Sequence, residues 1–176
     1  FVHRGLEKLV EKKEFTEYVY VAERICGICS FMHGMGYCEA VEHIMNIELP
    51  PRAYYLRTIW CEMSRIHSHL LWLGLLADAF WFLRAFSCKS WKIREKVLDM
   101  FEASTGGRVI FSVNKIGGQR KDMDASMLRQ FVADFTDIEK ELKVVARTFL
   151  EDTAVNSRLR DVWLPLQKSR PMTWAR

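Results

Sequence analysis

The strongest constraint on the fold is a run of apolar residues near the C-terminal end that recurs every three or four positions. Its members are Leu128, Phe131, Val132, Phe135, Ile138, Leu142, Val145 and Phe149. Apolar side chains at this spacing form one stripe along an α-helix. The stripe extends over about six turns at 3.6 residues per turn. The sequence therefore predicts a long helix that packs in a bundle.

Two earlier segments show the same periodicity. The first begins at Pro50 and Pro51, since proline suits a first helical turn but not a helix interior. Its apolar positions are Leu56, Ile59, Trp60, Met63, Ile66, Leu70, Leu73, Gly74 and Ala77. The second is predicted to start at Ser90, as N-cap, and to end at Gly106 and Gly107, because glycine favours a helix C-terminus.

The remaining segments are shorter. Val109–Arg120 contains a glycine pair and is predicted to be a loop or a short extended crossover. Tyr18–Ile25 is apolar enough to pack, and His33–Asn46 is predicted to be a helix with one apolar face, formed by Tyr37, Ala40, Val41, Ile44 and Met45. Without a repeat or linker, residues 1–176 are predicted to form a single, mainly α domain built as a long-helix bundle.

Composition excludes some classes of function. Lys and Arg number 26 against 22 Asp and Glu, and the two signs alternate, which argues against a nucleic-acid-binding patch. No segment resembles a signal peptide, and the longest apolar stretch, Leu70–Leu83, is interrupted by Asp78 and is shorter than the roughly 20 residues that span a bilayer. We therefore expect a soluble or peripheral protein.

The cysteines are the residues that most strongly indicate a metal site. The chain has five, an odd set without the spacing of a disulfide scaffold, which favours a reducing, cytosolic setting. Arg24, Cys26, Gly27, Cys29 and His33 form the pattern R-x-C-G-x-C-x-x-x-H. Two thiolates three positions apart can bind one metal, the glycine permits a tight turn, and soft sulfur ligands favour nickel, iron or zinc. The arginine and histidine are expected to place hydrogen-bond donors beside the sulfurs.

This pattern resembles the first cysteine motif of nickel-iron hydrogenase large subunits. The resemblance implies that Cys26 is a terminal nickel ligand and that Cys29 bridges nickel to an iron that carries carbon monoxide and cyanide. It also implies that His33 hydrogen-bonds near the bridging sulfur. The implied cofactor is thus a nickel-iron centre, with Arg24, Cys26, Cys29 and His33 as the candidate site.

Further segments resemble a signature shared by energy-converting hydrogenases and the 49 kDa subunit of respiratory complex I. They are Val2–Lys13, Pro51–Ala53, Ser64–Leu70 and Ile116–Gly118, and the similarity covers about residues 1–150. The implied fold is the long-helix bundle of those subunits. The respiratory subunits use the corresponding place as a quinone cavity and lack the cysteines, whereas this chain has them.

The chain also departs from the family. The hydrogenase site needs a second C-x-x-C, which no residue after Cys88 supplies, and the family's N-terminal strand region with its proton-transferring glutamate is not found. Trp81–Lys89 and the tail from about residue 159 fit poorly. We therefore expect a fold incomplete at both ends and a piece that is inactive alone.

The resemblance implies reversible oxidation of dihydrogen. The implied partners are a hydrogenase small subunit with an iron-sulfur cluster, a ferredoxin-type electron carrier and ion-pumping membrane subunits, in a complex on the inner face of the cell membrane. One alternative is the 49 kDa subunit of NADH-quinone oxidoreductase, with a quinone in the cavity. Another is an interaction module with a zinc half-site.

Other polar residues are interpreted as structural. Cys38, Cys61 and Cys88 are isolated cysteines and are predicted to pack in the core. His67 and His69 lie two positions apart, about 200 degrees around a helix, so they cannot bind one ion together, and each is expected to make a local polar contact. Glu62, Arg65 and His69 share a helix face, which is predicted to be solvated.

Overall fold

The computed structural model describes residues 4–79 and 84–159, and this part of the chain is mainly helical. Outside the described residues lie Val2 and His3, residues 81–83 of the predicted departure at Trp81–Lys89, and the tail after residue 159. The elements are α1 (Leu6–Val10), α2 (Tyr18–Ala22), α3 (Ser30–Met45), α4 (Pro51–Ala79), α5 (Arg84–Thr105), β1 (Asn114–Lys115), β2 (Gly118–Gln119), α6 (Ala125–Glu151) and α7 (Thr153–Leu159).

The three predicted long helices, α4, α5 and α6, form the core. α4 packs along α5, and α6 also packs against α5. The side chains at these two contacts are fully or almost fully buried, and they include Trp60, Met63, Leu70, Ile93, Val97, Phe101, Phe131, Ile138 and Val145. α4 begins at Pro51 and α6 spans the predicted stripe, so both predictions are confirmed. Asp124 caps α6 by accepting a hydrogen bond from the Met127 N–H.

The prediction that α5 begins at Ser90 is wrong, because the helix begins six residues earlier at Arg84. Ser90 is buried inside the helix, and its hydroxyl donates to the Leu70 carbonyl of α4 at 2.7 Å. The hydroxyl thus bonds sideways to the neighbouring helix instead of capping its own. The predicted end is confirmed, since Gly106 adopts a φ of 81° directly after Thr105.

The predicted apolar face of α3 is also wrong. Ile44 is 81% exposed and Met45 is 53% exposed. The buried side of the helix instead contains Ser30, Phe31, Gly34, Cys38 and Glu42. Apart from Phe31, these residues are small or polar. Glu42 packs inward because Arg57 of α4 and the turn of the hairpin β1–β2 donate to it, a feature that hydrophobic periodicity does not detect.

A buried ion pair connects α3, α4 and the hairpin. Arg57 donates from both terminal nitrogens to the Glu42 carboxylate, at 2.6 and 2.7 Å. Arg57 also donates to the Lys115 and Gly118 carbonyls, and the Gly117 N–H donates to Glu42. Burial disfavours the ionised carboxylate, but these donors outweigh it and lower the pKa of Glu42. The pair fixes α3, and therefore the loop that precedes it, against the core.

The three isolated cysteines differ in burial. Cys38 and Cys61 are buried, as predicted. Burial raises the pKa of the Cys38 thiol to about 12, as expected for a sulfur that behaves as a small apolar group. The prediction for Cys88 is wrong, because this residue lies on the exposed side of α5. Among the described helices, none has an apolar stretch long enough to cross a bilayer.

Candidate metal centre

The loop between α2 and α3 brings together three residues that were predicted from the sequence. Cys26 lies within the loop, Cys29 is the N-cap residue of α3, and His33 lies one turn further along that helix. The two sulfurs and an imidazole nitrogen all lie within 4.8 Å of one another. The Cys29 Sγ and the His33 Nε2 are 3.4 Å apart. This is the one group of three potential metal ligands among the residues that the structure describes.

The two thiols differ in acidity because the loop backbone surrounds them differently. The N–H groups of Cys29 and Ile28 donate towards the Cys26 sulfur, together with the Cys29 thiol, and they lower the pKa of Cys26. The Ile28 N–H is 3.4 Å from that sulfur. Burial and the neighbouring Cys26 raise the pKa of Cys29. Cys26 therefore ionises first, and a cation between the sulfurs would favour deprotonation of both.

The structure places Arg24 at a different contact from the one expected. Its guanidinium Nη1 donates to the Tyr20 carbonyl on α2 at 2.6 Å, and the side chain is exposed. Arg24 therefore satisfies a backbone carbonyl near the C-terminal end of α2. Among the described residues, the donors beside the two sulfurs are backbone amides of the loop and His33.

A second loop packs under the cysteines. The Ser30 hydroxyl donates to the Val109 carbonyl at 2.6 Å. This hydrogen bond joins the start of α3 to the segment that follows α5, so this segment supports the position of the cysteine loop.

Glu23 was not predicted to be a site residue. It is fully buried, and its Oε2 accepts from the Ser112 N–H at 2.8 Å and from the Ser112 hydroxyl at 3.2 Å. Its Oε1 has no partner among the described residues. Burial raises the pKa of Glu23, although the Ser112 donors oppose the shift. Glu23 directly precedes the exposed Arg24 in the sequence, and no sequence signal shows which of these two charged residues is buried.

Two protein families match the chain. Residues 4–86 match the family described as nickel-dependent hydrogenase, and residues 85–175 match the family described as respiratory-chain NADH dehydrogenase, 49 Kd subunit. The chain belongs to the nickel-dependent hydrogenase and complex I 49 kDa family. The resemblance predicted from the sequence is thereby confirmed.

Individual relatives come from both branches of this family. The chain is 38% identical over 159 residues to membrane-bound hydrogenase subunit alpha of Pyrococcus furiosus, covering 90% of this chain and 37% of that protein. It is 38% identical over 138 residues to an NADH-quinone oxidoreductase subunit of Thermodesulfovibrio yellowstonii, covering 78% of this chain and 34% of that protein. The chain thus spans little more than a third of the length of these relatives.

A solved structure confirms the predicted fold. The chain matches one chain of the membrane-bound sulfane sulfur reductase, an archaeal respiratory membrane complex, with a TM-score of 0.85 and 28% sequence identity. The match covers 92% of this chain and 43% of that chain. The helical assembly described above is therefore part of the fold of this family.

The other polar residues of α4 are not part of the site's cysteine cluster. Glu62 and Arg65 form an ion pair of 3.2 Å on the exposed surface, and His69 is exposed on the same helix, so the predicted solvated face is confirmed. His67 is buried and accepts a hydrogen bond from Arg94 of α5, so it makes a polar contact, but to another helix and not locally.

Replacement of Gly34 by alanine is expected to destabilise the protein by about 1–3 kcal/mol through overpacking. The new Cβ would be 2.8 Å from Glu23 Cγ, 2.9 Å from Glu23 Oε1 and 3.0 Å from Asn114 Nδ2. Glu23 cannot move aside easily, because it is fully buried and bonded to Ser112. Denaturant unfolding measures the difference in the free energy of unfolding.

Gly36→Ala is the matched control for Gly34→Ala. Gly36 lies on the same helix, and a Cβ there would meet nothing within 4 Å. Alanine is the better helix former by about 0.5–1 kcal/mol, so this variant is expected to be neutral or more stable. Equal stability of the Gly34 and Gly36 variants would contradict the close packing of Glu23 against α3.

Proposed function

We propose that this chain is part of the large subunit of an energy-converting nickel-iron hydrogenase, which catalyses the reversible oxidation of dihydrogen to protons and electrons. The observation that carries the proposal is the grouping of Cys26, Cys29 and His33 within 4.8 Å at the start of α3. The match of residues 4–86 to nickel-dependent hydrogenases supports it.

The donor set fits a nickel-iron centre. Cys26 and Cys29 are both free thiols, both are partly accessible, and thiolates are ligands that nickel and iron bind well. In this proposal Cys26 and Cys29 would hold the nickel-iron centre through their sulfurs. When bound, nickel would supply a Lewis acid that polarises dihydrogen. The remaining sulfur ligands would come from residues that this sequence does not include.

His33 has a separate role in the proposal. Its Nε2 is 3.4 Å from the Cys29 sulfur, a distance at which an N–H donor can interact with sulfur. Donation to the Cys29 thiolate would stabilise the negative charge of this sulfur and fix its orientation. Arg24, whose contact to Tyr20 holds the end of α2, would act by fixing the backbone that enters the loop.

The partners proposed for the assembled enzyme follow from the family. Electrons would pass to an iron-sulfur cluster in a hydrogenase small subunit and then to a ferredoxin-type carrier. Membrane subunits of the complex would pump ions, and this large subunit would lie at the inner face of the cell membrane. The name of the Pyrococcus relative, membrane-bound hydrogenase subunit alpha, supports this placement.

One observation favours a second candidate, a quinone-binding subunit of NADH-quinone oxidoreductase. Residues 85–175 match the 49 kDa subunit of that enzyme. A quinone headgroup needs an apolar cleft with a few hydrogen-bond donors, and the cysteine motif could supply these through His33 and the more distant Tyr37. Two adjacent thiols would also be exposed to oxidation in a cavity without a metal. The cysteine pair therefore favours the hydrogenase.

Metal analysis of the purified full-length protein tests the proposal. Nickel and iron together, in equimolar amounts, are expected for a hydrogenase. No metal, combined with labelling by a photoreactive quinone, would instead favour the second candidate. Zinc alone would favour an interaction module with a zinc half-site.

The 176-residue chain alone is expected not to retain nickel through gel filtration. It supplies two cysteine ligands at the proposed site, and the affinity of a metal site depends on the number of ligands and on their preformed arrangement. Elemental analysis after gel filtration measures the ratio of nickel to protein. Stoichiometric nickel in this chain would show that residues within it complete the ligand set.

A further inference from the structure

Both ends of the cysteine loop, which connects α2 to α3, are hydrogen-bonded to one segment of the chain. This segment, residues 109–114, leads from α5 into β1. Glu23, the C-cap residue of α2, accepts from the Ser112 N–H at 2.8 Å and from the Ser112 hydroxyl at 3.2 Å. Ser30, the first residue of α3, donates to the Val109 carbonyl at 2.6 Å. Because one segment holds both ends of the loop, it fixes the distance between them.

Residues 109–114 are themselves fixed to the core. Phe111 and Val113 are buried, and the Phe111 ring stacks on the Phe101 ring of α5, with 4.0 Å between centroids and 14° between planes. Asn114 is fully buried and donates from Nδ2 to the Phe31 carbonyl of α3 at 3.2 Å. The segment therefore fixes the cysteine loop relative to α5.

Ser112 adopts a backbone conformation that needs support. Its φ is 53°, in the left-handed region that residues other than glycine rarely adopt. In this conformation both its N–H and its hydroxyl donate to the Glu23 carboxyl group. These hydrogen bonds hold Ser112 in place, since turning the N–H away would leave the buried carboxyl group without these donors. The positions of Glu23 and Ser112 therefore depend on each other.

The Glu23 side chain has little freedom to move. It is fully buried, and a Cβ atom at Gly34 of α3 would be 2.8 Å from its Cγ. Burying a carboxyl group costs free energy, and apolar groups of the same shape often stabilise a core as well as a hydrogen-bonded pair does. The contact between Glu23 and Ser112 therefore contributes more to the relative position of the two segments than to overall stability.

We propose that Glu23 is a positioning residue for the metal centre, which fixes the cysteine loop on residues 109–114 through Ser112. The inference rests on the proposed function and extends it to a residue that is not a metal ligand. Fixing the ends of a short loop keeps the Cys26 and Cys29 sulfurs in place before a metal binds, and metal affinity depends on such a preformed arrangement. Loss of contacts that orient metal ligands typically lowers metal affinity about 10–100-fold.

The test compares three variants of the full-length protein. Glu23→Met removes the acceptor at similar volume, whereas Glu23→Gln retains an oxygen that can accept from Ser112. Glu17→Met is the matched control, because Glu17 lies at the other end of α2 and its side chain is 53% exposed. Hydrogen–deuterium exchange of the protein produced without nickel measures the opening of the cysteine loop, with α6 as internal reference. Elemental analysis of the assembled complex measures nickel.

In Glu23→Met, the amides of the cysteine loop are expected to exchange about tenfold faster, since the lost hydrogen bonds no longer oppose local opening. The amides of α6 should exchange at the wild-type rate, and the nickel content should fall. Glu23→Gln should restore loop exchange and nickel content towards the wild type, and Glu17→Met should leave both unchanged. Wild-type loop exchange or wild-type nickel content in Glu23→Met would overturn the inference, as would equal acceleration in α6 or equal effects of methionine and glutamine.

Variants of Ser112 decide the case in which Glu23→Met does not fold. Ser112→Gly keeps the N–H and adopts a positive φ without strain, so loop exchange and nickel content are expected to stay close to the wild type. Ser112→Val should open the loop, because a β-branched residue rarely adopts a positive φ. Equal loop exchange in these two variants would overturn the inference. Absence of nickel from the wild-type complex contradicts the proposed function, whereas exchange of the metal-free protein tests Glu23 independently of it.

Discussion

In the full-length protein, Cys26→Ser and Cys29→Ser are each expected to abolish nickel retention and hydrogen-dependent dye reduction. Serine keeps the size of the side chain but replaces a soft thiolate by a hard hydroxyl, which nickel binds poorly. The hydroxyl is also not deprotonated near neutral pH, whereas the loop amides already favour ionisation of Cys26. Elemental analysis of nickel and a viologen reduction assay under hydrogen measure the two effects.

Cys88→Ser is the control for this pair. Cys88 is an exposed cysteine on α5, outside the cysteine loop, so its replacement is expected to leave nickel content and activity unchanged. Wild-type nickel content in Cys26→Ser or Cys29→Ser would contradict the assignment of the metal centre. Loss of nickel in the Cys88 variant would indicate that serine substitution acts through folding.

Arg57→Met is expected to destabilise the protein by about 3–5 kcal/mol, since breaking a buried ion pair leaves the other charge buried without a partner. Both side chains of the pair are buried, and Arg57 makes four hydrogen bonds that connect α3, α4 and the hairpin. Methionine retains much of the side-chain volume. Denaturant unfolding near neutral pH measures the loss.

Arg65→Met is the matched control for Arg57→Met. Arg65 pairs with Glu62 on the same helix, but both side chains are more than half exposed. Exposed ion pairs contribute about 0–1 kcal/mol, so this variant is expected to change stability little. A similar loss of stability in both variants would contradict the structural role of the buried pair.

The buried pair also predicts a dependence of stability on pH. The pKa of Glu42 is lowered in the folded protein, so its contribution is complete above the usual pKa of a glutamate and is lost as pH falls through the lower, folded value. Wild-type stability should therefore decrease with acidification over this range. In Arg57→Met the decrease due to Glu42 should be absent or reversed, because the unpaired carboxyl gains stability when it is protonated.

Periodicity predicts the parts of the fold that depend on apolar stripes. The length of α6 and the start of α4 at Pro51 follow from local patterns of this kind. The start of α5 does not, because Ser90 bonds to Leu70, a residue of another helix. The buried face of α3 is not predicted by periodicity for the same reason, since it includes Glu42, which is buried in an ion pair with Arg57 of another helix.

The candidate site also has a part that the sequence predicts and a part that it does not predict. Cys26, Cys29 and His33 are close in sequence, so their spacing on a loop and the first turn of a helix already predicts their grouping. Glu23 binds Ser112, 89 positions away, and His67 binds Arg94, 27 positions away. Contacts of this kind depend on how helices pack, and a single sequence carries no direct signal for them.

Hydrogen turnover by the assembled complex tests the central claim most directly. The two branches of the family share a fold, so the fold does not distinguish them, whereas the reaction does. The complex that contains this protein is expected to evolve hydrogen from reduced methyl viologen, and inhibitors of quinone sites such as rotenone should not change the rate. Quinone reduction that is sensitive to such inhibitors, without any hydrogen turnover, would contradict the account.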